Sequence, residues 1–441
     1  MPGSKGKFKC VGENQNDLSL PNLDEISLAQ MAFDPNSKCL KQEFVEFLIS
    51  NGLLSSGPIC EQHGISTVIR KRNDIDDGVV YRCPMYKKDK CSSSNISIRR
   101  FSFFENSKMH IGDVMHLILK YIQNDTLVDI GEATGLSKSS VIRTIDFLRD
   151  VPTQCVQMYY AGFYRKSVFQ IDESVFGRKR KYHRGNNRGA VQIWVFGILD
   201  VLAKDLILYV VENRKKSTLL NLIKMHCAPG SWIMHDEWKP YEKLHLEGYI
   251  HHSVNHSKRF TVPMIDENNG ELVIVHTNEI EGEWMHAKEY LRHRFGVSRE
   301  RFHQYLPEIV FRRVNRSTEK RREEFWNMFK KLYPLSEPPK KHYANGLNPT
   351  TVMEIRRDMN FSYENPTISS GFEKYEHMQL VALSDIPELN QSTFNLEEFE
   401  DADGPEYFEF EEDDEGFEIK EFRIAIAPLS KTELESYGIF E

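Results

Sequence analysis

The sequence predicts an α/β protein: a mixed sheet with helices packed on its faces, preceded by a small cysteine-bearing module and a helical pair. Three observations carry this. From residue 168 the hydrophobic pattern turns strand-like, with runs rich in Val, Ile, Leu, Phe and Trp. These runs alternate with helix-length segments in the order strand, strand, strand, helix, strand, helix, strand, helix. Upstream, the apolar spacing at 110–150 is helical, whereas 53–104 is rich in Cys, Ser, Gly and charge.

Taken in order, residues 24–52 read as one or two helices, because Leu40, Phe44, Phe47 and Leu48 recur at helical spacing and Asn51-Gly52 makes a C-cap. The next stretch carries short strand-like runs such as Val79-Val80-Tyr81. Two helices, 126–134 and 138 to about 149, flank the turn Gly135-Leu136-Ser137, with Ser137 as N-cap. Val141, Ile142, Ile145 and Leu148 form their buried stripe, and Lys138, Ser139, Ser140 and Arg143 face outward. That is the layout of a helix-turn-helix whose second helix contacts DNA. Strands follow at 167–172, 191–199 and 206–211, then a helix at 217–226, a strand at 231–235 and helices at 279–295 and 299–332. Past 333, Pro, Lys and then acid dominate and periodicity fades. The expected division is a helical segment at 1–52, a zinc-ribbon-like module at 53–108, a helix-turn-helix region at 109–165, a catalytic domain at 166–335, and a linker with an acidic, largely disordered tail at 336–441.

Hydrophobic residues make up 40% and aromatics 11%, enough to build a core in a chain of 441 residues. No apolar run approaches the ~20 residues of a membrane span, and no apolar segment follows the N-terminus as in a secretory signal. Seven irregularly spaced cysteines make no disulfide framework, so a reducing compartment is expected. The formal net charge of -8 hides an asymmetry: residues 385–441 hold 19 acidic against 3 basic residues, leaving the remainder at +8. A basic body with an acidic tail suits a protein that approaches nucleic acid.

Three acids sit where predicted elements end or begin. Asp172 closes the run Phe169-Gln170-Ile171, Asp236 follows Trp232-Ile233-Met234-His235, and Glu281 lies early in a helix after His276-Thr277-Asn278. Carboxylates on rigid elements are suitable equipment for hard divalent cations, and phosphoryl transfer on DNA uses two such ions ~3.5–4 Å apart. Between the first two strands, 177–190 holds six basic residues: Arg178, Lys179, Arg180, Lys181, Arg184 and Arg188. Glycines and asparagines make it a turn that can neutralise several phosphates. Cys60 and His63, with Cys83 and Cys91, could form a tetrahedral zinc site, the first pair having the short spacing a knuckle needs.

The segment 169–313 resembles the transposase domain of the Merlin family and its bacterial insertion-sequence relatives. The resemblance is carried by Ile171-Asp172-Glu173-Ser174, the basic turn, Val195-Phe196-Gly197-Ile198 and His235-Asp236. It continues through Val254-Asn255-His256-Ser257, His276-Thr277-Asn278 with Ile280-Glu281 and Trp284, Lys288, and Phe311-Arg312-Arg313. It implies a ribonuclease-H-like fold, two Mg²⁺ or Mn²⁺ ions, and cut-and-paste DNA transposition. By position, Asp172, Asp236 and Glu281 become the metal-binding triad; relatives differ between Asn and Glu at the third place, and Asn278 supports Glu281 here. Lys288, close to two helical turns after Glu281, is expected to contact DNA near the cleaved phosphate. The family's zinc ribbon commonly has CxxC pairs, so His63 and the seven residues between Cys83 and Cys91 are departures. The implied partners are double-stranded DNA at transposon ends and target sites and further copies of this chain, in a nuclear setting and without a membrane. The rival is a domesticated, transposase-derived DNA-binding protein that no longer transposes. His235 is expected to be structural, and Trp284 to pack beneath its helix.

Overall fold

The computed structural model describes residues 19–32, 39–89, 91, 95–177, 192–237, 239–254, 261–268, 272–294, 297, 299–343 and 346–382. In chain order the first elements are α1 (Glu25–Ala32), α2 (Gln42–Ser50), β1 (Val68–Lys71), β2 (Val79–Arg82), α3 (Tyr86–Asp89) and β3 (Ile96–Ser97). Next come α4 (Ile111–Gln123), α5 (Leu127–Thr134), α6 (Lys138–Leu148), α7 (Asp150–Ala161), β4 (Arg165–Lys166), β5 (Val168–Phe176), β6 (Ile193–Asp200) and β7 (Asp205–Val211). Then follow α8 (Lys216–His226), β8 (Trp232–Asp236), β9 (Ile250–Val254), β10 (Thr261–Asp266), β11 (Leu272–His276), α9 (Asn278–Arg292), α10 (Arg299–Val314), α11 (Thr318–Leu332), α12 (Pro349–Asp358), β12 (Thr367–Ile368) and β13 (Leu380–Ala382). They form two compact units: residues up to 156 with 303–346, and residues 157–302 with the segment from 347. No helix among the described residues is long and apolar enough to cross a membrane.

The first unit is built on α4, whose apolar spacing buries Ile111, Val114, Met115, Leu117, Ile118, Ile122 and their neighbours. The α5–α6 hairpin forms as its caps dictate. Thr126 and Asp129 make a reciprocal capping box, Gly135 takes φ +67° after α5, and the Ser137 hydroxyl accepts from the Ser140 N–H. Val141, Ile145 and Leu148 are buried, whereas Ile142 is only half-buried. A buried ion pair, Arg149 Nε to Glu308 Oε1 at 2.7 Å, also takes the Tyr121 hydroxyl at 2.8 Å and so ties α10 to α4 and to the end of α6. The helix expected over 299–332 is two helices, because Ser317 caps α11 through the Lys320 N–H. Arg312, expected within the catalytic segment, instead donates to the carbonyls of Tyr121 and Ile122 in this unit. β1, β2 and β3 form a small antiparallel sheet.

The second unit centres on a five-stranded sheet in the order β7-β6-β5-β8-β9. β5, β6 and β7 form an antiparallel meander, while β8 and β9 run parallel to β5. The mixed sheet is therefore present. The helix expected between the fourth and fifth strands is replaced by two short 3-10 turns. An unforeseen second sheet, β11-β10-β13, brings Met264, Val273 and Val275, with Phe372 and Met378 from the segment before β13, into one core with Val168, Trp232, Met234 and Val254. Nor is 346–382 a linker. α12 buries Arg356, whose guanidinium donates to the carbonyls of Tyr160, Ala161, Phe163 and Met225. One arginine thereby bonds carbonyls at the ends of α7 and α8 and in the loop after α7, a role its polar character hides from any apolar-periodicity reading. The acidic tail lies outside the described residues.

Candidate active site

Asp172 was expected at a strand end, but β5 runs on to Phe176. The antiparallel register with β6 holds throughout, with Asp172 opposite Gly197 and Phe176 opposite Ile193. What ends at Ile171 is the parallel pairing with β8, where Ile171 faces His235. Asp236 is the last residue of β8. Asp172 and Asp236 therefore lie where β5 and β8 part, at the carboxyl end of the parallel strands, the usual location of ligand sites in such sheets.

α9 covers this place and is held by named contacts. Gln170 Oε1 accepts the Ile280 N–H at 3.0 Å, and Gln170 Nε2 lies 3.3 Å from His276 Nδ1. Trp284 Nε1 donates to Asp172 Oδ2 at 2.7 Å, while the other oxygen, Oδ1, accepts the Glu173 N–H at 2.7 Å. Buried Thr277 donates from Oγ1 to Asp236 Oδ1 at 3.4 Å. Burial, and then the charge of Asp236, push the Asp172 carboxyl up to about 7, against the pull of the Trp284 and Glu173 donors. Its neighbour Glu173 is also raised, chiefly by burial; it accepts from the Tyr241 hydroxyl and stands 3.8 Å from Arg214.

Of the remaining residues singled out, Glu281 and Lys288 are exposed, and Asn278 is half-buried as the first residue of α9. The Lys288 ammonium lies 5.7 Å from the centre of the Phe176 ring. Asp172, Asp236 and Glu281 are not gathered tightly. Among the described residues, the one set of three or more potential metal-binding side chains whose ligand atoms lie within 4.8 Å of one another is Cys60, His63, Cys83 and Cys91. His235 is buried as the last residue but one of β8. Its Nδ1 lies 2.6 Å from the Asp236 carbonyl, which can only accept, so that nitrogen carries the proton; Nε2 lies 3.0 Å from His251. Burial holds its pKa near 4. Trp284 is 4% exposed, yet its N–H reaches the site, so packing and polar contact coincide in one side chain. The basic residues Arg178, Lys179, Arg180, Lys181, Arg184 and Arg188, and likewise Asn255, His256 and Ser257, lie outside the described residues.

Sequence reasoning gave no role to Gln170, which holds α9 through the Ile280 amide, or to Thr277, which bonds Asp236 directly. A signal for the close approach existed at Gly197, a glycine inside a strand. A Cβ there would stand 2.8 Å from the Trp284 ring.

The cysteine module places Cys60 Sγ 3.5 Å from His63 Nδ1 and 3.2 Å from Cys91 Sγ, and Cys83 Sγ 3.5 Å from His63 Nδ1. Amides of His63 and Gly64 bond back to the Cys60 carbonyl, forming the turn that brings the first pair together. The wide Cys83–Cys91 spacing is spanned by the one-turn α3. On the α5–α6 hairpin, Lys138 and Arg143 are exposed.

A mixed sheet with two adjacent carboxylates at its parallel end and a helix bonded to both defines the class: an α/β domain with an acidic site. The ISXO2-like transposase domain family matches residues 166–314. An uncharacterized transposase-like protein of Haemophilus influenzae is 32% identical over 103 residues, 23% of this chain and 76% of that protein. The chain belongs to this transposase-like family. Solved structures with partial likeness include the HTLV-2 integrase catalytic core domain in complex with magnesium, at 11% identity, TM-score 0.21, 34% of this chain and 86% of that one. A pre-cleavage Mos1 transpososome has 11% identity and TM-score 0.21, covering 50% of this chain and 77% of that one. At such scores the fold assignment rests on the strand order itself.

Proposed function

We propose that this chain is a Merlin-type DDE transposase with a ribonuclease-H-like catalytic domain, cleaving DNA strands at transposon ends and joining them to target DNA. The observation that carries the reading is the pairing of Asp172 and Asp236 where β5 and β8 part, beneath a helix bonded to both. Burial, and then the charge of Asp236, raise the Asp172 carboxyl, and a cation between the two carboxylates would relieve both. Their all-oxygen donor set suits Mg²⁺ or Mn²⁺. A bound pair of such ions supplies an activated attacking oxygen and a stabilised leaving oxygen.

Glu281 is the better third ligand. At about 100° per residue, Thr277, Glu281, Trp284 and Lys288 fall on one stripe of α9, whereas Asn278 lies about 100° from Thr277. Thr277 touches Asp236 and Trp284 touches Asp172, so the stripe passes over both acids. Glu281 supports the ions from the solvent side, and Lys288 next along the stripe meets the DNA phosphate. Asn278 supports the helix start.

Exposed Lys138 and Arg143 on a helix-turn-helix, with the basic segment from Arg178 to Arg188, take double-stranded DNA through its phosphates. Cys60, His63, Cys83 and Cys91 hold structural Zn²⁺, the soft donor set and mutual approach both favouring it. Homo-oligomeric assembly on two DNA ends and a nuclear setting complete the reading.

The test is Mg²⁺-dependent cleavage and strand transfer on a labelled duplex of the inverted repeats flanking the coding DNA. Asp172→Asn, Asp236→Asn and Glu281→Gln each abolish both steps and leave DNA binding intact. Activity retained in Glu281→Gln but lost in Asn278→Ala reassigns the third ligand. Wild-type behaviour in all of them overturns the enzyme in favour of a domesticated DNA-binding protein.

A further inference from the structure

We infer that Trp284 is a positioning residue for the metal-binding carboxylate of Asp172, with Gly197 the clearance that lets it act. This rests on the reading of Asp172 as a metal ligand. A carboxylate that bridges ions must present its free lone pairs in a fixed plane, and a side chain with two rotatable bonds does not do this unaided. Here two N–H groups grip opposite oxygens: the Glu173 amide holds Oδ1 and the indole holds Oδ2, each at 2.7 Å. Each oxygen keeps a further lone pair for a cation.

The indole is itself immobilised. Its ring meets Phe176 edge-on at 6.1 Å and lies over Gly197, the residue opposite Asp172 in the β6 register. A single methyl at Gly197 would approach the ring carbons Cη2 and Cζ2 to 2.8 Å, and Ile280 to 3.2 Å, closing the slot. The Gln170 bond to the Ile280 amide and the Thr277 bond to Asp236 fix the level of α9 along the strands. Trp284 is thus seated by contacts from β5, β6 and its own helix. An indole N–H only donates, so it never competes for the cation as a histidine or carboxylate would. Partners that orient a metal ligand in this way typically account for ~10–100-fold in metal affinity.

The experiment uses the full zinc-loaded chain and two probes, Mn²⁺ by titration calorimetry and Tb³⁺ by indole-sensitised luminescence. Wild type binds both, and excess Mg²⁺ quenches the Tb³⁺ signal by competition. Trp284→Phe keeps the aromatic packing and removes the N–H. Its Mn²⁺ affinity falls about tenfold; its Tb³⁺ emission falls with the antenna itself, so calorimetry decides for this variant. Gly197→Ala keeps the indole but displaces it, and its Mn²⁺ affinity falls comparably. Asp172→Asn is the reference for a lost ligand. If Trp284→Phe and Gly197→Ala melt at lower temperature but bind Mn²⁺ as tightly as wild type, Trp284 is a core residue only and the inference is overturned while Asp172 keeps its role. If Asp172→Asn binds Mn²⁺ like wild type, the reading of the site fails and takes the inference with it.

Discussion

Asp172 makes the stability of the metal-free protein depend on pH in a direction opposite to an ordinary surface carboxylate. Its pKa rises from the usual 3.8 to about 7, first through burial and then through the charge of Asp236. The protonated carboxyl therefore contributes stability that is fully present below pH 3.8 and is lost as pH rises through about 7. At ~1.4 kcal/mol per decade of proton affinity, that rise corresponds to roughly 4 kcal/mol. Asp172→Asn removes the charge and keeps the shape; its oxygen accepts the Trp284 N–H, while its amide nitrogen cannot accept the Glu173 N–H, a loss that is the same at every pH. In buffer without Mg²⁺ or Mn²⁺, with zinc left in place, the stability of Asp172→Asn relative to wild type is therefore lowest at pH 4. It rises by up to about 4 kcal/mol by pH 8.5. Four of the five tryptophans lie between residues 157 and 302, so fluorescence follows the unit that matters. Added Mn²⁺ at pH 8.5 stabilises wild type and offsets this rise, because it binds the folded form through the ionised carboxylate. Parallel stability curves for the two proteins from pH 4 to 8.5 would refute the reasoning, since they would mean that Asp172 ionises as freely folded as unfolded.

Elemental analysis of the purified chain finds one zinc per molecule; Cys60→Ser or Cys83→Ser removes it and lowers the thermal midpoint, and a metal-free wild type of unchanged midpoint would leave these as packed thiols. Lys138→Ala with Arg143→Ala weakens binding to duplex DNA and flattens its dependence on salt by up to about two charges; an unchanged salt slope in a binding titration would remove α6 from the DNA interface. Arg356→Met takes a donor from the carbonyls of Tyr160, Ala161, Phe163 and Met225, of which Tyr160 and Phe163 keep bonds from the Phe163 amide and His226, and destabilises the protein by about 3–5 kcal/mol. Denaturation within 1 kcal/mol of wild type would show that water replaces the guanidinium there.

Local chemistry was legible wherever a residue's neighbours in sequence decide its state. Thr126, Gly135 and Ser137 set the bounds of α5 and α6 through their own caps, and strand-forming runs located β5, β6, β7 and β8 to within a few residues. Asp172 and Asp236 stood out through their order, their place at predicted strand ends and the resemblance carried by the words around them, since acids alone are too common in this chain to signal anything, and the cysteine module stood out through the short Cys60–His63 spacing. Tertiary structure alone decided what depends on which elements meet. Asp172 ends not a strand but a pairing, since β6 continues beside β5 after β8 has left it. Trp284 carries the same apolar signature whether or not its N–H finds a partner, and only the register of β6, placing Gly197 opposite Asp172, admits the indole to the carboxylate. The polar anchors Gln170, Thr277 and Arg356 escaped notice for the same reason. A buried hydrogen bond is made between segments far apart in sequence, and no periodicity along one of them records the other.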